Sequence, residues 1–185
     1  MYVIPASGMP QGELPIMKAS PKLASFLLLC GLATAIPTIA HAATDDDKQF
    51  LAKASQSDVN EIKLSQLAEQ KATNPAVKAF AKKMVAEHTK MSKTMKPFAE
   101  EWSLTPPGDM DDDHKQEYSK LNGLSGADFD KEYIDQMVTD HSKALDLFTD
   151  EAKDTKDTKF RAAVLKGKTM VAAHKNMAYD LKKKL

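Results

Sequence analysis

Met84-Val85-Ala86-Glu87-His88, Met137-Val138-Thr139-Asp140-His141 and Met170-Val171-Ala172-Ala173-His174 repeat one phrase three times in a single chain. Residues four apart stack on one face of a helix, so each Met sits one turn from its His. The first two copies place an acid just before the His and a lysine two places after it, Lys90 and Lys143. Outward from each copy the apolar residues keep steps of three and four. Val77, Phe80, Met84, His88, Met91 and Met95 form one such series. Phe129, Tyr133, Met137, His141, Ala144 and Phe148 form a second, and Phe160, Val164, Val171, His174, Met177 and Leu181 a third. That period is the signature of amphipathic helices, and it places all three imidazoles on inward faces.

The remaining chain supplies the other elements. A first helix is predicted over 45–71, capped by Thr44 or Asp45, with Asp45-Asp46-Asp47 facing the positive end of its dipole. Its inward positions include Phe50, Leu51, Asp58, Glu61 and Ser65. Asn74-Pro75 provides an N-cap and a first-turn proline for the second helix, and Pro97 predicts a kink or an early stop in it. Thr105-Pro106-Pro107-Gly108 is a loop, and 111–121 predicts a short connecting helix. Ser125-x-x-Asp128 resembles a capping box opening a helix over 127–153, and a turn at 154–157 leads into a last helix running to the C-terminus. Period-two strand patterns are lacking. The chain therefore reads as all-α: an antiparallel four-helix bundle with a short extra helix in the long crossover between its second and third long helices.

The first 42 residues read as a leader. A short basic stretch follows Met17, the likeliest functional start by this pattern; an apolar run covers 23–39, and Ala40-His41-Ala42 is a small-x-small cleavage site. The sequence thus predicts a secretory signal peptide over 1–42, a single domain over 43–185, and a periplasmic location with no membrane span after cleavage. The chain's one cysteine, Cys30, lies in the leader, so an exported domain here relies on packing rather than disulfides. The whole chain has 26 basic and 26 acidic residues. Such balance argues against nucleic acid as a partner, which would need a basic face. A protein partner or a homodimer through a helix face stays open.

His88, His141 and His174 are the candidate metal ligands, with Glu61 as a carboxylate and Met84, Met137 and Met170 as supporting thioethers. Two chemistries fit. Imidazole and thioether together suit copper, and imidazole alone suits zinc. An iron centre of the carboxylate-bridged kind needs a Glu three residues before its His, but Val85, Val138 and Val171 stand there. Alternatively the histidines are neutral core residues bonded to Asp58, Glu61 or Tyr133, with methionine as packing. His114, inside Asp111-Asp112-Asp113-His114, reads as a solvated helix start. Nucleophile and phosphate-loop motifs are missing, and the chain reads as a non-enzymatic protein with no certain cofactor.

Several segments taken in order resemble a known family. They are Asp58-Val-Asn-Glu61-Ile-Lys-Leu64-Ser-Gln-Leu67-Ala68, Phe80-Ala-Lys-Lys-Met84-Val85-Ala-Glu87-His88, Leu124-Ser-Gly126-Ala-Asp128-Phe129-Asp130 with Tyr133, Asp140-His141 and His174. The chain resembles the domain of unknown function 4142 family, exported bacterial proteins. The resemblance implies a ferritin-like four-helix bundle and supplies no catalytic mechanism; the chain reads as an exported bundle of unassigned role, envelope or stress-associated.

Overall fold

A computed structural model describes residues 42–185. The leader, its start at Met17 and its cleavage after Ala42 lie outside the described residues or at their edge. Five helices follow in order: α1 Asp45–Lys71, α2 Pro75–Glu101, α3 Asp112–Gly123, α4 Gly126–Asp154 and α5 Thr158–Lys182. α1 packs most extensively on α2, and α4 on α5; α1 also lies beside α4, and α2 beside α5. The long helices thus form a ring α1–α2–α5–α4 in which every neighbour is antiparallel. The architecture is a ferritin-like bundle. Among the described residues no helix is long and apolar enough to cross a membrane.

Local chemistry explains most boundaries. Thr44 and Asp47 form a reciprocal capping box at the start of α1, and Asn74 caps α2 ahead of Pro75. Two expectations are corrected. No early stop occurs at Pro97: α2 continues through it and ends at Glu101. Pro97 and Lys93 are both exposed, on the solvent side of the helix. Ser125 makes no side-chain cap: Gly126 opens α4 at φ +60°, and the Phe129 N–H instead reaches the Ser125 backbone carbonyl at 3.4 Å.

A buried aspartate pins each end of the bundle. At the top, Asp130 near the start of α4 accepts from Thr73 N (3.0 Å), Thr73 Oγ1 (2.7 Å) and Asn74 N (2.8 Å), in the α1–α2 turn. At the base, Asp47 accepts from Thr44 N at 2.7 Å and Thr44 Oγ1 at 2.8 Å, beside Glu151 and Thr155 at the end of α4. Since α2 ends at the base and α4 starts at the top, the crossover must climb the bundle. α3 does so over the α1–α4 groove. Gln56 donates to the Asp109 carbonyl, Asn60 donates to Asp111, and Lys71 donates to the Asn122 carbonyl.

The apolar core falls into two clusters. The upper one gathers Leu64, Val77, Phe80, Met84, Phe129 and Met137; the lower one gathers Phe50, Leu51, Met91, Phe148, Phe160 and Val171. Between them lies a buried polar layer of Asp58, Glu61, His88, His141 and His174.

Two consequences are measurable. Asp130→Ala leaves three donors of the α1–α2 turn without their acceptor; Thr73 is exposed and Asn74 half-buried, so water replaces part of each bond and the net loss is about 1 kcal/mol per bond. Denaturant melts should place the variant about 2–4 kcal/mol below the parent, and a change under 0.5 kcal/mol would remove Asp130 as a pin. The second concerns Glu151. Burial, followed by its bond to the ionised Asp47, pushes the Glu151 carboxyl up to about 8. Its ordinary value is 4.5. A raised folded value stabilises the fold below the unfolded value and is lost as pH rises through the folded one. Glu151→Gln keeps a donor for Asp47 without a titrating proton. The variant should gain on the parent between pH 5 and 9, and a stability difference that stays constant over that range would contradict the shared proton.

Candidate metal centre

The three histidines reach one level because of how the helices are set. Counted from the base end, His88 and His141 lie 13 residues in and His174 lies 16 in, about 20–24 Å at 1.5 Å per residue. Their ring centroids are 5.5, 5.3 and 5.3 Å apart. One ligand nitrogen from each ring falls within 4.8 Å of the others, and all three residues are buried.

Each ring has one nitrogen tied to an outer partner. His88 Nδ1 meets Asp58 Oδ1 at 2.8 Å, and Asp58 also accepts from Ser92 Oγ at 2.9 Å. His141 Nδ1 meets the Met137 carbonyl at 2.8 Å. His174 Nε2 meets Glu87 Oε2. A carbonyl can only accept, so His141 carries its proton on Nδ1. Carboxylates on the other two rings favour the same outward proton. In the neutral rings the remaining nitrogens, His88 Nε2, His141 Nε2 and His174 Nδ1, then present lone pairs. His88 Nε2 and His141 Nε2 are only 3.4 Å apart, and His174 Nδ1 is buried with no hydrogen-bond partner. Three acceptors facing one another without a donor is an arrangement that a cation resolves. The outward partners fix each ring's tautomer and orientation, as they do for imidazole ligands of metals.

Burial keeps His141 and His174 neutral. Burial, reinforced by the other two imidazoles, holds His141 down at about 3. Burial also lowers His174, to about 4, against the bond to Glu87. Burial raises Glu61 well above the ordinary carboxylate value, helped by the nearby charges of Asp140 and Asp58. Burial pushes Glu87 up, but bonds from Lys83 and His174 outweigh it and leave the carboxyl below its ordinary value.

The sequence candidates fall into two groups. His88, His141 and His174 come together. Glu61 stands beside them, its Oε1 3.7 Å from His141 Nδ1 and its Oε2 buried without a partner. Met170 lines a small cavity with His88 and His141, joined there by Met91. Met84 and Met137 pack instead into the upper apolar cluster. Helix direction separates them. The residue four before a His lies above it on the descending helices α2 and α4, but below it on the ascending α5. Tyr133 is not a histidine partner: its hydroxyl pairs with Ser65 Oγ at 2.8 Å.

Sequence reasoning set aside the acids that precede two of the histidines, because position i−1 lies about 100° round the helix. That offset aims each at a neighbouring element. Glu87 on α2 reaches His174 on α5, and Asp140 on α4 comes within 3.6 Å of His114 Nε2 on α3. Neither copy's acid serves its own His, and the third copy has Ala173 there. His114 is half-buried rather than a solvated helix start. Its Nδ1 meets Asp111 Oδ1 at 2.7 Å, and the bond to Asp140, with that to Asp111, raises it to about 9 against the effect of burial.

Comparison with known proteins fits this geometry. Solved structures share the fold at low sequence identity. A DUF305 fragment from Deinococcus radiodurans superposes with a TM-score of 0.67 at 12% identity, covering 78% of this chain and all of that one. A DUF305 protein from Streptomyces coelicolor, described as secreted, gives 0.63 at 14%, covering 74% and 89%. CopM in its Cu(II)-bound form gives 0.64 at 19%, covering 78% and 99%. At such identities the likeness is one of fold alone. No curated protein matches in sequence. The model of the domain of unknown function family DUF4142 matches residues 33–181, most of the chain, and the protein belongs to that family.

Proposed function

We propose that this protein is an exported bundle that binds one transition-metal ion, copper ahead of zinc, through His88 Nε2, His141 Nε2 and His174 Nδ1. The observation that carries this reading is the meeting of three unprotonated imidazole nitrogens in a buried layer, each held in place by an outward bond on its other nitrogen. Ligand imidazoles must be neutral, and the depressed values of His141 and His174 keep them so down to mildly acidic pH. Three nitrogens suit copper or zinc. Iron of the carboxylate-bridged kind fits poorly, with Val85, Val138 and Val171 where its glutamates would stand. One protein of the same fold is a copper-bound one, which puts copper first among the ions to test. The leader pattern, and the description of one structural neighbour as secreted, support export to the periplasm. Holding or handing on the ion, rather than catalysis, is the role this reading assigns.

The test is elemental analysis and melting of tag-free protein purified from the periplasm. One metal per chain is expected. Saturating ion at about 100 times its Kd should raise stability by about 2.7 kcal/mol. His141→Ala should keep the helical spectrum and lose the ion. Native protein that melts at one temperature with and without copper or zinc would refute the proposal.

A further inference from the structure

We propose that Met91 and Met170 form a thioether way-station for monovalent copper, placed in the wall between the α2–α5 surface groove and the histidine centre. The inference rests on the metal-binding reading above and adds a route and an oxidation state to it.

Two cavities meet at this wall. An open groove of about 640 Å³ runs between α2 and α5, and Met91, Met170 and Met177 contribute to its lining. Inside lies a cavity of about 10 Å³ that touches His88, His141, Asp58 and Glu61. That is close to the space one water molecule needs. Met91 and Met170 line both. Among the described residues the other polar pocket near this level, about 270 Å³ beside α3, is lined by His114 and Asp140 and by none of the three histidines of the centre. Glu87, which holds His174 from outside, also lines the α2–α5 groove, so that groove reaches the carboxylate bonded to one ring of the centre.

The two methionines are brought to the wall by topology. Met91 follows its His by three residues on descending α2, and Met170 precedes its His by four on ascending α5. Both therefore lie on the base side of the imidazoles, facing across the α2–α5 interface. Gly167 makes room for them: a Cβ there would stand 2.8 Å from Met91 Cε and 2.2 Å from Phe148 Cε1. Met91 is buried and Met170 half-buried, a graded step from solvent to core.

The chemistry selects a soft ion. Thioether sulfur favours Cu(I) over harder dications. Methionine has three rotatable bonds and can swing a bound ion inward without backbone movement. Lys90 and Lys166 at the groove oppose cations, but Coulomb energy scales with charge, so a dication meets twice the penalty of a monocation. Transfer exchanges copper–sulfur for copper–nitrogen bonds and changes no oxidation state.

The experiment follows Cu(I) uptake anaerobically by stopped flow, from a chromogenic chelator complex, in wild-type protein, Met170→Leu and Met91→Leu/Met170→Leu. Leucine matches methionine in volume, so the fold should persist. Met170 is half-exposed, which keeps the single variant informative should the double variant melt early. Zinc uptake is measured alongside. The expected result is Cu(I) loading at least tenfold slower in the double variant and slower in the single one, with unchanged final stoichiometry and a zinc rate within twofold of wild type. Cu(I) loading at the wild-type rate in both variants would overturn the way-station while leaving the histidine centre standing. Equal slowing of copper and zinc would overturn it too, since a steric wall would then explain the effect. Wild-type protein that takes up neither ion would defeat the metal-binding reading itself, and the way-station with it.

Discussion

Two imidazole nitrogens 3.4 Å apart, both acceptors when each ring carries a single proton on its outward nitrogen, and both shielded from water, set the terms for the middle of this bundle. Such a contact is repulsive unless a proton or a cation lies between the rings. Everything around it acts to hold the rings in that relation. Met137 offers a carbonyl that dictates the tautomer of His141; Asp58 on α1 and Glu87 on α2 do the same for His88 and His174. The layer divides the apolar core in two, and each half closes over it with aromatic contacts such as Phe50 on Phe148 below and Phe80 on Tyr133 above. Water has little room to satisfy the layer in place of its designed partners.

Such a layer tolerates little error in helix register. A slip of one residue along any of the three helices moves its imidazole by about 1.5 Å and turns it by about 100°. Packing of leucines alone would not forbid that slip, since neighbouring apolar positions are similar in size. The end pins oppose it for α2 and α4, and the Glu87–His174 bond sets α5 against α2. Asp130 locks the start of α4 to the α1–α2 turn, and Asp47 locks the start of α1 to the end of α4. α3 adds a strut between them through Asn60, Asp111 and His114. Fold stability and site geometry are thus coupled through polar contacts at the ends, some 20 Å from the histidines by helix length.

The helices, their order and the inward direction of each histidine were legible because helical periodicity is local: three or four residues suffice to express it. Partnerships across helices were not. Glu87 serves His174 because α2 and α5 are neighbours in the ring, and Tyr133 serves Ser65 rather than His141 because α1 lies closer to its hydroxyl. The methionines illustrate the same limit. Three identical Met-Val-x-x-His phrases place Met84 and Met137 above the polar layer and Met170 below it, since the third helix runs the other way. A repeat in sequence becomes a repeat in space only when the helices carrying it are parallel. Pro97 misled only as to an early stop: it lies on the exposed side of α2, one turn before the helix ends at Glu101.

Charge limits what such a layer can hold. A pair of bridged iron ions brings at least four positive charges into the core and relies on glutamates from all four helices to offset them. Here the helices carrying histidine place valine at that position; the carboxylates within the layer, Asp58 and Glu61, come from α1, while Asp140 of α4 is buried towards α3 and Glu87 of α2 holds His174 from outside. Asp58 is already engaged by His88 and Ser92, while Glu61 keeps one buried oxygen free. Burial favours the protonated form of Glu61, so the layer can offset one ion of charge one or two by giving up that proton, and a second ion would add its charge in a medium of low dielectric. The proposed centre is therefore a single-ion site on a ferritin-like frame, and the thioethers below the layer favour the softer end of that range.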